Sequence, residues 1–210
     1  MAKAKICGIT RASDLSAACD AGAALVGFVF YPASPRYLSP ERAEALLEEN
    51  AKKIATVAVT VDADDDMLED IALRVSPSYF QLHGDESPER VADIKRRFPS
   101  IKVMKAIRVR TADDVATAHR YEKMVDMIAF DARAPSSSLP GGNGLRFDWK
   151  ILQGRVPTLP WMLAGGLHAG NVTEAIRLTG APFVDVSSGV ESSPGIKNAV
   201  LIKEFVRCAS

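Results

Sequence analysis

Eight short apolar runs, each followed by a stretch with helical signals, are the feature that most limits the fold of this chain. The runs are continuous, as is typical of parallel strands that are covered on both faces. We predict strands at residues 4–9, 24–30, 54–60, 79–82, 102–107, 127–130, 161–164 and 183–186. Helices are predicted to begin at Ser13-Asp14, Ser39-Pro40-Glu41 and Ser87-Pro88-Glu89, and to cover residues 65–75, 112–121, 148–152, 169–178 and 198–206.

The repeat length of these strand–helix units selects between two α/β architectures. Eight units in 210 residues average about 26 residues each, which is near the lower size limit of the (β/α)8 TIM barrel. A doubly wound sheet is the alternative, but no G-x-G-x-x-G turn follows the first strand. No Pro/Ser linker divides the chain. We therefore predict one (β/α)8 barrel domain over residues 1–210.

The charge balance and the cysteine count exclude several classes of function. Lys plus Arg and Asp plus Glu number 26 each, without a basic run, so binding to nucleic acid or to an anionic membrane has no electrostatic support. No stretch reaches the roughly 18 apolar residues of a membrane span, and no secretory signal is recognisable. The three cysteines lack metal-ligand or disulfide spacing. We expect a cytoplasmic protein with a small-molecule partner and free thiols, and a monomer rather than a homodimer.

In a barrel, the working residues gather at the carboxyl ends of the strands. Cys7 lies near the carboxyl end of the first predicted strand, and an inert buried cysteine is the alternative interpretation for it. Asp131 follows the apolar run 127–130, where desolvation favours a protonated carboxylic acid. A thiol and a carboxylic acid that face each other across one cavity are a plausible base and acid. Cys7 and Asp131 are therefore the candidate catalytic residues.

Two clusters of small residues follow the seventh and eighth predicted strands. In barrels, the loops after these two strands commonly bind phosphate through backbone N–H groups. Tight turns are the alternative reason for the glycines. A carboxylate repels phosphate, so we expect the aspartate among them to bond backbone N–H groups or a sugar hydroxyl. The candidate substrate-binding residues in and beside these clusters are Gly165, Gly166, Asp185, Ser187, Ser188 and Gly189.

Further polar residues stand beside the predicted pocket. Arg36 lies in a loop that Pro35 restricts, and its guanidinium can hold a carboxylate through two parallel hydrogen bonds. His83 is a candidate for substrate binding, with a structural role as the alternative. Lys105 either points into the pocket or is neutralised by an acidic neighbour. The uncharged loop at residues 134–144 can fold over a ligand.

The chain resembles the phosphoribosylanthranilate isomerase family in an ordered set of segments. They are KICGIT, VGFVFYPASPRYLSP, FQLHGDE, GGNGLRFDW, LAGGL and VDVSSGVE, and they extend over nearly the whole sequence. The resemblance implies a tryptophan-pathway enzyme that needs neither metal nor organic cofactor. It would convert N-(5-phosphoribosyl)anthranilate to 1-(2-carboxyphenylamino)-1-deoxyribulose 5-phosphate by an Amadori rearrangement.

The same resemblance implies a role for individual residues. Cys7 corresponds to the general base, Asp131 to the general acid, and Arg36 to the residue that meets the anthranilate carboxylate. The residues implied for the phosphate are Gly166, Ser187, Ser188 and Gly189.

The sequence departs from the family pattern at two places, and three other functions are alternatives to the one that the resemblance implies. Thr60-Val61-Asp62 and Ala164 differ from common family residues, away from the proposed acid and base. A related isomerase of histidine biosynthesis has an aspartate at the first strand, so Cys7 favours the anthranilate substrate. The rivals are an indole-glycerol-phosphate synthase, a pentose-phosphate epimerase and a catalytically silent barrel that binds a phosphorylated ligand or a partner protein.

Overall fold

Eight parallel strands close into one barrel. The structure is a computed structural model, and it describes residues 1–50, 53–132 and 147–210. Each strand pairs with its neighbours in chain order, and β1 pairs with both β2 and β8, which excludes the open doubly wound sheet. The (β/α)8 prediction is confirmed. The strands are β1 Lys3–Cys7, β2 Leu25–Val29, β3 Ala55–Thr60, β4 Tyr79–Leu82, β5 Lys102–Val109, β6 Met127–Ala132, β7 Trp161–Leu163 and β8 Phe183–Val186.

The helices surround the barrel, and two of the three predicted capping signals stand at a helix start. The third, Ser13-Asp14, lies inside the first helix, which begins at Ala12 without a side-chain cap. Ser39 and Ser87 each accept a hydrogen bond from a backbone N–H of the first turn, and a proline opens each helix, as predicted. The α-helices are α1 Ala12–Asp20, α2 Pro40–Glu49, α3 Asp65–Val75, α4 Pro88–Arg97, α5 Ala112–Ala116, α6 Val172–Thr179 and α7 Ala199–Ala209. None of the helices in the described ranges is long and apolar enough to cross a membrane.

Two predicted helices are shorter than expected. α5 ends at Ala116, and the chain continues as a 3-10 helix over Thr117–Arg120, where the Thr117 hydroxyl donates to the carbonyl of Asp114 at 2.6 Å. α6 begins at Val172 instead of residue 169, because the Asn171 side chain accepts from the N–H of His168 and closes a separate turn first. The predicted helix at 148–152 is a 3-10 helix, Trp149–Leu152.

The alternation of side chains along the strands separates two apolar regions. Residues such as Ile6 and Val26 point outward into the layer between strands and helices, while Cys7, Val57 and Met104 lie in the smaller cluster inside the barrel. Lys5 belongs to the same inward series as Cys7 and is fully buried. The inside of the barrel therefore holds a buried charge directly below the carboxyl end of β1.

A small antiparallel hairpin, which was not predicted from the sequence, follows β8. β9 Glu191–Ser193 and β10 Ile196–Lys197 pair through a turn in which Gly195 has a φ of +81°. Gly195 also accepts a hydrogen bond from the Thr10 hydroxyl at 2.6 Å. The hairpin is thereby attached to the loop after β1, on the side of the barrel where the strands end.

Candidate active site

One cavity at the carboxyl ends of the strands gathers most of the predicted site residues. Barrel strands β1, β4, β6 and β8 each contribute polar side chains to it, and the loops after β2 and β7 complete the wall. Gly189 is not among the lining residues. The predicted residues that line the cavity are Cys7, Arg36, His83, Asp131, Gly165, Gly166, Asp185, Ser187 and Ser188.

Cys7 lies at the floor of this cavity with 8% of its surface exposed. Gly27 on β2 makes the space for it, since a Cβ atom at Gly27 would lie 2.9 Å from Sγ of Cys7 and 3.1 Å from Cε of Lys5. Burial raises the pKa of the Cys7 thiol, and the Lys5 and Lys197 ammonium groups offset only part of this rise. The raised pKa of Cys7 therefore favours the thiol over the thiolate in the free protein.

Lys5 connects Cys7 to two other strands. Its Nζ donates to Oε1 of Gln81 at 2.8 Å and to Oδ2 of Asp185 at 3.1 Å, and Cys7 is its third neighbour. Burial by itself lowers the pKa of Lys5, but the attraction of Asp185 and Cys7 outweighs burial, so the pKa is raised. Lys5 is therefore a charged ammonium group inside the barrel, and it forms an ion pair with the carboxylate of Asp185.

Asp131 stands at the end of β6 and is held from two sides. The backbone N–H of Ala132 donates to its Oδ1 at 2.9 Å, and Nε2 of His83 lies 3.1 Å from its Oδ2. Nδ1 of His83 lies 3.2 Å from the amide nitrogen of Gln81. His83 thus lines the cavity and also contacts the candidate acid. A role in substrate binding and a structural role are therefore compatible for His83.

Asp185 presents one carboxylate oxygen without a partner. Oδ2 accepts from Lys5, whereas Oδ1 is buried and has no hydrogen-bond partner among the described residues. A buried acceptor that lines a cavity is costly unless a ligand satisfies it. Of the two partners expected for this carboxylate, a sugar hydroxyl fits the unpartnered oxygen, because no backbone N–H of the described residues occupies it.

The loops after β7 and β8 need glycine for two different reasons, the backbone conformation after β7 and the close approach of the two loops at Gly189. Gly165 and Gly166 have φ values of +90° and +62°. The side-chain amide of Asn171 donates to the carbonyl of Gly166 at 2.9 Å and fixes this loop. A Cβ atom at Gly189 would collide with the carbonyl oxygen of Leu167, so Gly189 allows the two loops to approach each other.

Arg36 is buried in the cavity wall and paired with a residue that the sequence analysis did not single out. Its Nε and Nη2 donate to the two carboxylate oxygens of Glu191 at 2.8 and 2.7 Å. Lys197 donates to Oε1 of the same carboxylate at 2.7 Å and to the carbonyl of Ser187 at 3.2 Å. Burial raises the pKa of Glu191, but the hydrogen bonds from Arg36 and Lys197 outweigh it, so the pKa is lowered. The hairpin therefore holds Arg36 and the β8 loop in one charged cluster.

Gly8, which follows β1, makes space for Arg36. It has a φ of +77°, and a Cβ atom there would lie 2.5 Å from Cδ of Arg36. Substitution of Gly8 would therefore displace the guanidinium from its place in the wall.

Two further expectations concern Lys105 and the loop at residues 134–144. Lys105 is buried in an ion pair with Glu86 at 3.0 Å, and three backbone carbonyls accept its other hydrogen bonds, so it is neutralised and does not line the site. The expected cover loop at residues 134–144 lies outside the described residues. No cluster of possible metal ligands occurs within residues 1–50, 53–132 and 147–210.

The closed barrel and its polar cavity define a (β/α)8-barrel enzyme with a thiol, a carboxylic acid and glycine-rich loops at the strand ends. The family model described as N-(5'-phosphoribosyl)anthranilate (PRA) isomerase matches residues 4–208. A relative from Rhodopseudomonas palustris, named N-(5'-phosphoribosyl)anthranilate isomerase, is 52% identical over 206 residues, which cover 98% of this chain and 96% of the relative. The chain belongs to the N-(5'-phosphoribosyl)anthranilate isomerase family.

Solved structures agree with this assignment. One is a crystal structure of mutually generated monomers of the dimeric phosphoribosylanthranilate isomerase from Thermotoga maritima, with a TM-score of 0.84, 36% identity, and coverage of 100% of this chain and 98% of that one. Another is a phosphoribosylanthranilate isomerase in complex with reduced 1-(o-carboxyphenylamino)-1-deoxyribulose 5-phosphate, with a TM-score of 0.85, 36% identity and the same coverage. As a member of this family, the chain is an isomerase of tryptophan biosynthesis.

Proposed function

We propose that this cavity isomerises N-(5'-phosphoribosyl)anthranilate with Cys7 as the general base and Asp131 as the general acid. The observation that carries the proposal is that these two side chains, which come from β1 and β6, line one cavity together with the loops after β7 and β8. A general acid and a general base must both reach one substrate. A phosphorylated sugar held at the glycine loops lies between them.

The proposed reaction has three proton-transfer stages. Asp131 donates its proton to the furanose ring oxygen, the bond from that oxygen to C1 breaks, and the nitrogen lone pair forms an iminium ion. The thiolate of Cys7 removes the proton from C2, and the electron pair returns to nitrogen through a new C1–C2 double bond. The enolamine then gains a proton at C1 and loses one from the C2 hydroxyl to give the ketone. Before the next turnover, Asp131 regains a proton and Cys7 loses one.

Lys5 gives the base step its electrostatic support. Its ammonium group is fully buried, and in the low-dielectric interior a positive charge stabilises an adjacent thiolate more than it does at the surface. Because burial raises the pKa of Cys7, the free protein keeps mainly the thiol at neutral pH. Lys5 therefore limits the cost of forming the thiolate.

The phosphate and the sugar are proposed to bind at the end of β8 and in the adjacent loops. The backbone of Gly165, Gly166 and Ser188 borders the cavity, and the free Oδ1 of Asp185 can accept a hydrogen bond from a sugar hydroxyl. Lys197, which donates to the carbonyl of Ser187, and Arg36 share the single carboxylate of Glu191, so this cluster carries one net positive charge. This arrangement supports binding of a phosphorylated sugar rather than of an uncharged one.

The first test combines turnover with competition at the phosphate site. The protein should consume freshly made phosphoribosylanthranilate, followed as loss of its anthranilate-type fluorescence, and inorganic phosphate should compete with it. Ser188→Asp places a carboxylate against the bound dianion, so KM should rise more than about tenfold. Ser192→Asp on the exposed strand β9 is the matched control and should leave KM unchanged. Equal KM values in both variants would remove the phosphate from these loops.

Arg36 is proposed to bind the anthranilate carboxylate. Arg36→Ala should weaken substrate binding by about 1.5 to 3 kcal/mol, because hydrogen bonds between charged groups are lost. We expect KM to rise by about ten- to a hundredfold in steady-state assays. Arg42→Ala, at an exposed position of α2, serves as the control. An equal loss of affinity for a substrate analogue without the carboxylate would show that Arg36 supports the fold of the wall instead.

We further propose that residues 1–210 form one domain, that the protein acts as a monomer and that it resides in the cytoplasm. The first proposal is supported by the pairing of β1 with β8, which joins the first and the last strand of the barrel. The monomer differs from the dimeric relative from Thermotoga maritima, and sedimentation equilibrium of the purified protein tests which state it adopts. The third rests on the free cysteines, and fractionation of host cells tests it.

A further inference from the structure

Gln81 has both ends of its amide group engaged inside the barrel. It lies on β4 and is 2% exposed, and no role for it was predicted from the sequence. Oε1 is the acceptor for the Lys5 ammonium at 2.8 Å, and Nε2 lies 3.2 Å from Nδ1 of His83. His83 in turn lies 3.1 Å from Asp131 through Nε2. These contacts form one continuous chain from Lys5 to Asp131.

The direction of every hydrogen bond in this chain follows from Lys5. An ammonium group only donates, so the atom of Gln81 that faces Lys5 must be the amide oxygen. The amide nitrogen therefore faces His83, and an amide nitrogen also only donates. Nδ1 of His83 must then accept and carries no proton. The imidazole proton is on Nε2, which is the nitrogen directed at Asp131.

We infer that Gln81 is a positioning residue that fixes His83 as the Nε2–H tautomer and thereby directs a hydrogen-bond donor at Asp131. The inference about the tautomer is independent of the reaction, whereas its catalytic consequence rests on the proposed function of Asp131. A histidine tautomer is set by the hydrogen bond that the other ring nitrogen makes. Gln81 supplies that hydrogen bond here.

This arrangement holds the candidate acid in one orientation. Oδ1 of Asp131 accepts from the N–H of Ala132, and Oδ2 accepts from His83, so rotation of the carboxyl group would break both hydrogen bonds. A general acid must keep its proton aimed at one atom of the substrate. Because Lys5 also neighbours Cys7, one buried ammonium group supports the base directly and the acid through Gln81 and His83.

The tautomer is measured by nitrogen NMR of the protein labelled with 15N-histidine. The chain has three histidines, and His119→Gln and His168→Gln identify the signals that do not belong to His83. In the wild type, we expect Nδ1 of His83 to be unprotonated and Nε2 to carry the proton. A protonated Nδ1 at neutral pH overturns the inference, whatever the enzyme activity is.

The variant Gln81→Glu reverses the hydrogen bond at His83. Its second carboxylate oxygen accepts instead of donating, so the proton is drawn to Nδ1 and Asp131 loses its donor. We expect kcat to fall by about ten- to a hundredfold, as when other histidine-orienting partners are removed, with KM changed much less. Gln153→Glu makes the same chemical change at an exposed site and should affect neither the tautomer nor kcat.

Two results separate this inference from the proposed function. If Gln81→Glu moves the proton to Nδ1 while kcat stays at the wild-type value, the positioning role is wrong although the tautomer is right. If the wild type fails to convert phosphoribosylanthranilate, the proposed function fails, and the NMR result still decides the tautomer. Gln81→Met, which keeps the size but removes the donor, replaces Gln81→Glu if the latter does not fold.

Discussion

Cys7→Ser is expected to lower the turnover of phosphoribosylanthranilate by a factor on the order of 10² to 10⁴, while the variant folds normally. Serine is nearly isosteric with cysteine, so an inert packing role predicts almost unchanged activity. A base role predicts collapse, because a hydroxyl is far harder to ionise than a thiol, even beside Lys5. Turnover numbers of the purified variant, with thermal unfolding as the check on folding, distinguish the two interpretations.

The other two cysteines provide internal controls. Cys19 in α1 and Cys208 in α7 are free thiols outside the cavity, and their serine variants should keep wild-type turnover.

The pH profile gives a further prediction for Cys7. The pKa of Cys7 is raised, so the thiolate fraction of the wild type grows with pH, and kcat/KM should rise as pH increases toward that pKa. If Cys7→Ser keeps most of its turnover and the same pH profile, the base is a different residue.

Asp131→Asn is expected to lower turnover as much as Cys7→Ser does, but by removing the general acid instead of the general base. The amide keeps the shape of the side chain but has no acidic proton to transfer, so kcat should fall by a factor on the order of 10² to 10⁴ while substrate binding persists. Steady-state kinetics separate kcat from KM. Binding is measured independently by titration with the reduced product analogue.

A matched control for this variant lies on the surface. Asp113 is exposed in the first turn of α5, so Asp113→Asn changes the same functional group without touching the cavity. Wild-type turnover in Asp131→Asn would exclude Asp131 as the acid. A loss of binding in place of turnover would show that the carboxylate holds the substrate instead of protonating it.

The order of the barrel strands was predictable from the sequence because continuous apolar runs and serine–proline helix starts are strong local signals. β4 and β8 were predicted with the bounds that the structure gives. The hairpin of β9 and β10 was missed because its strands are only three and two residues long and contain no apolar run. Pairing at that length depends on Gly195 and on contacts with the loop after β1, which the sequence does not reveal.

The residues of the candidate site that stand at strand ends were predictable from the sequence. The buried side chains that contact them were not predicted. Cys7, His83 and Asp131 were found by position. Lys5 and Gln81 were not, although each precedes a predicted site residue by two positions and so points to the same side of its strand. Glu191 and Lys197 depend on the hairpin and had no such signal.

The pairing of β1 with β8 also bears on the order in which the candidate site is assembled during synthesis. Lys5 and Cys7 on β1 are synthesised before Asp185 on β8, and Lys197 follows Asp185. Until β8 docks on β1, Lys5 lacks the carboxylate partner that it has in the closed barrel. The surroundings of the candidate base are therefore complete only when the barrel closes, and we expect no activity from a growing chain that still lacks β8.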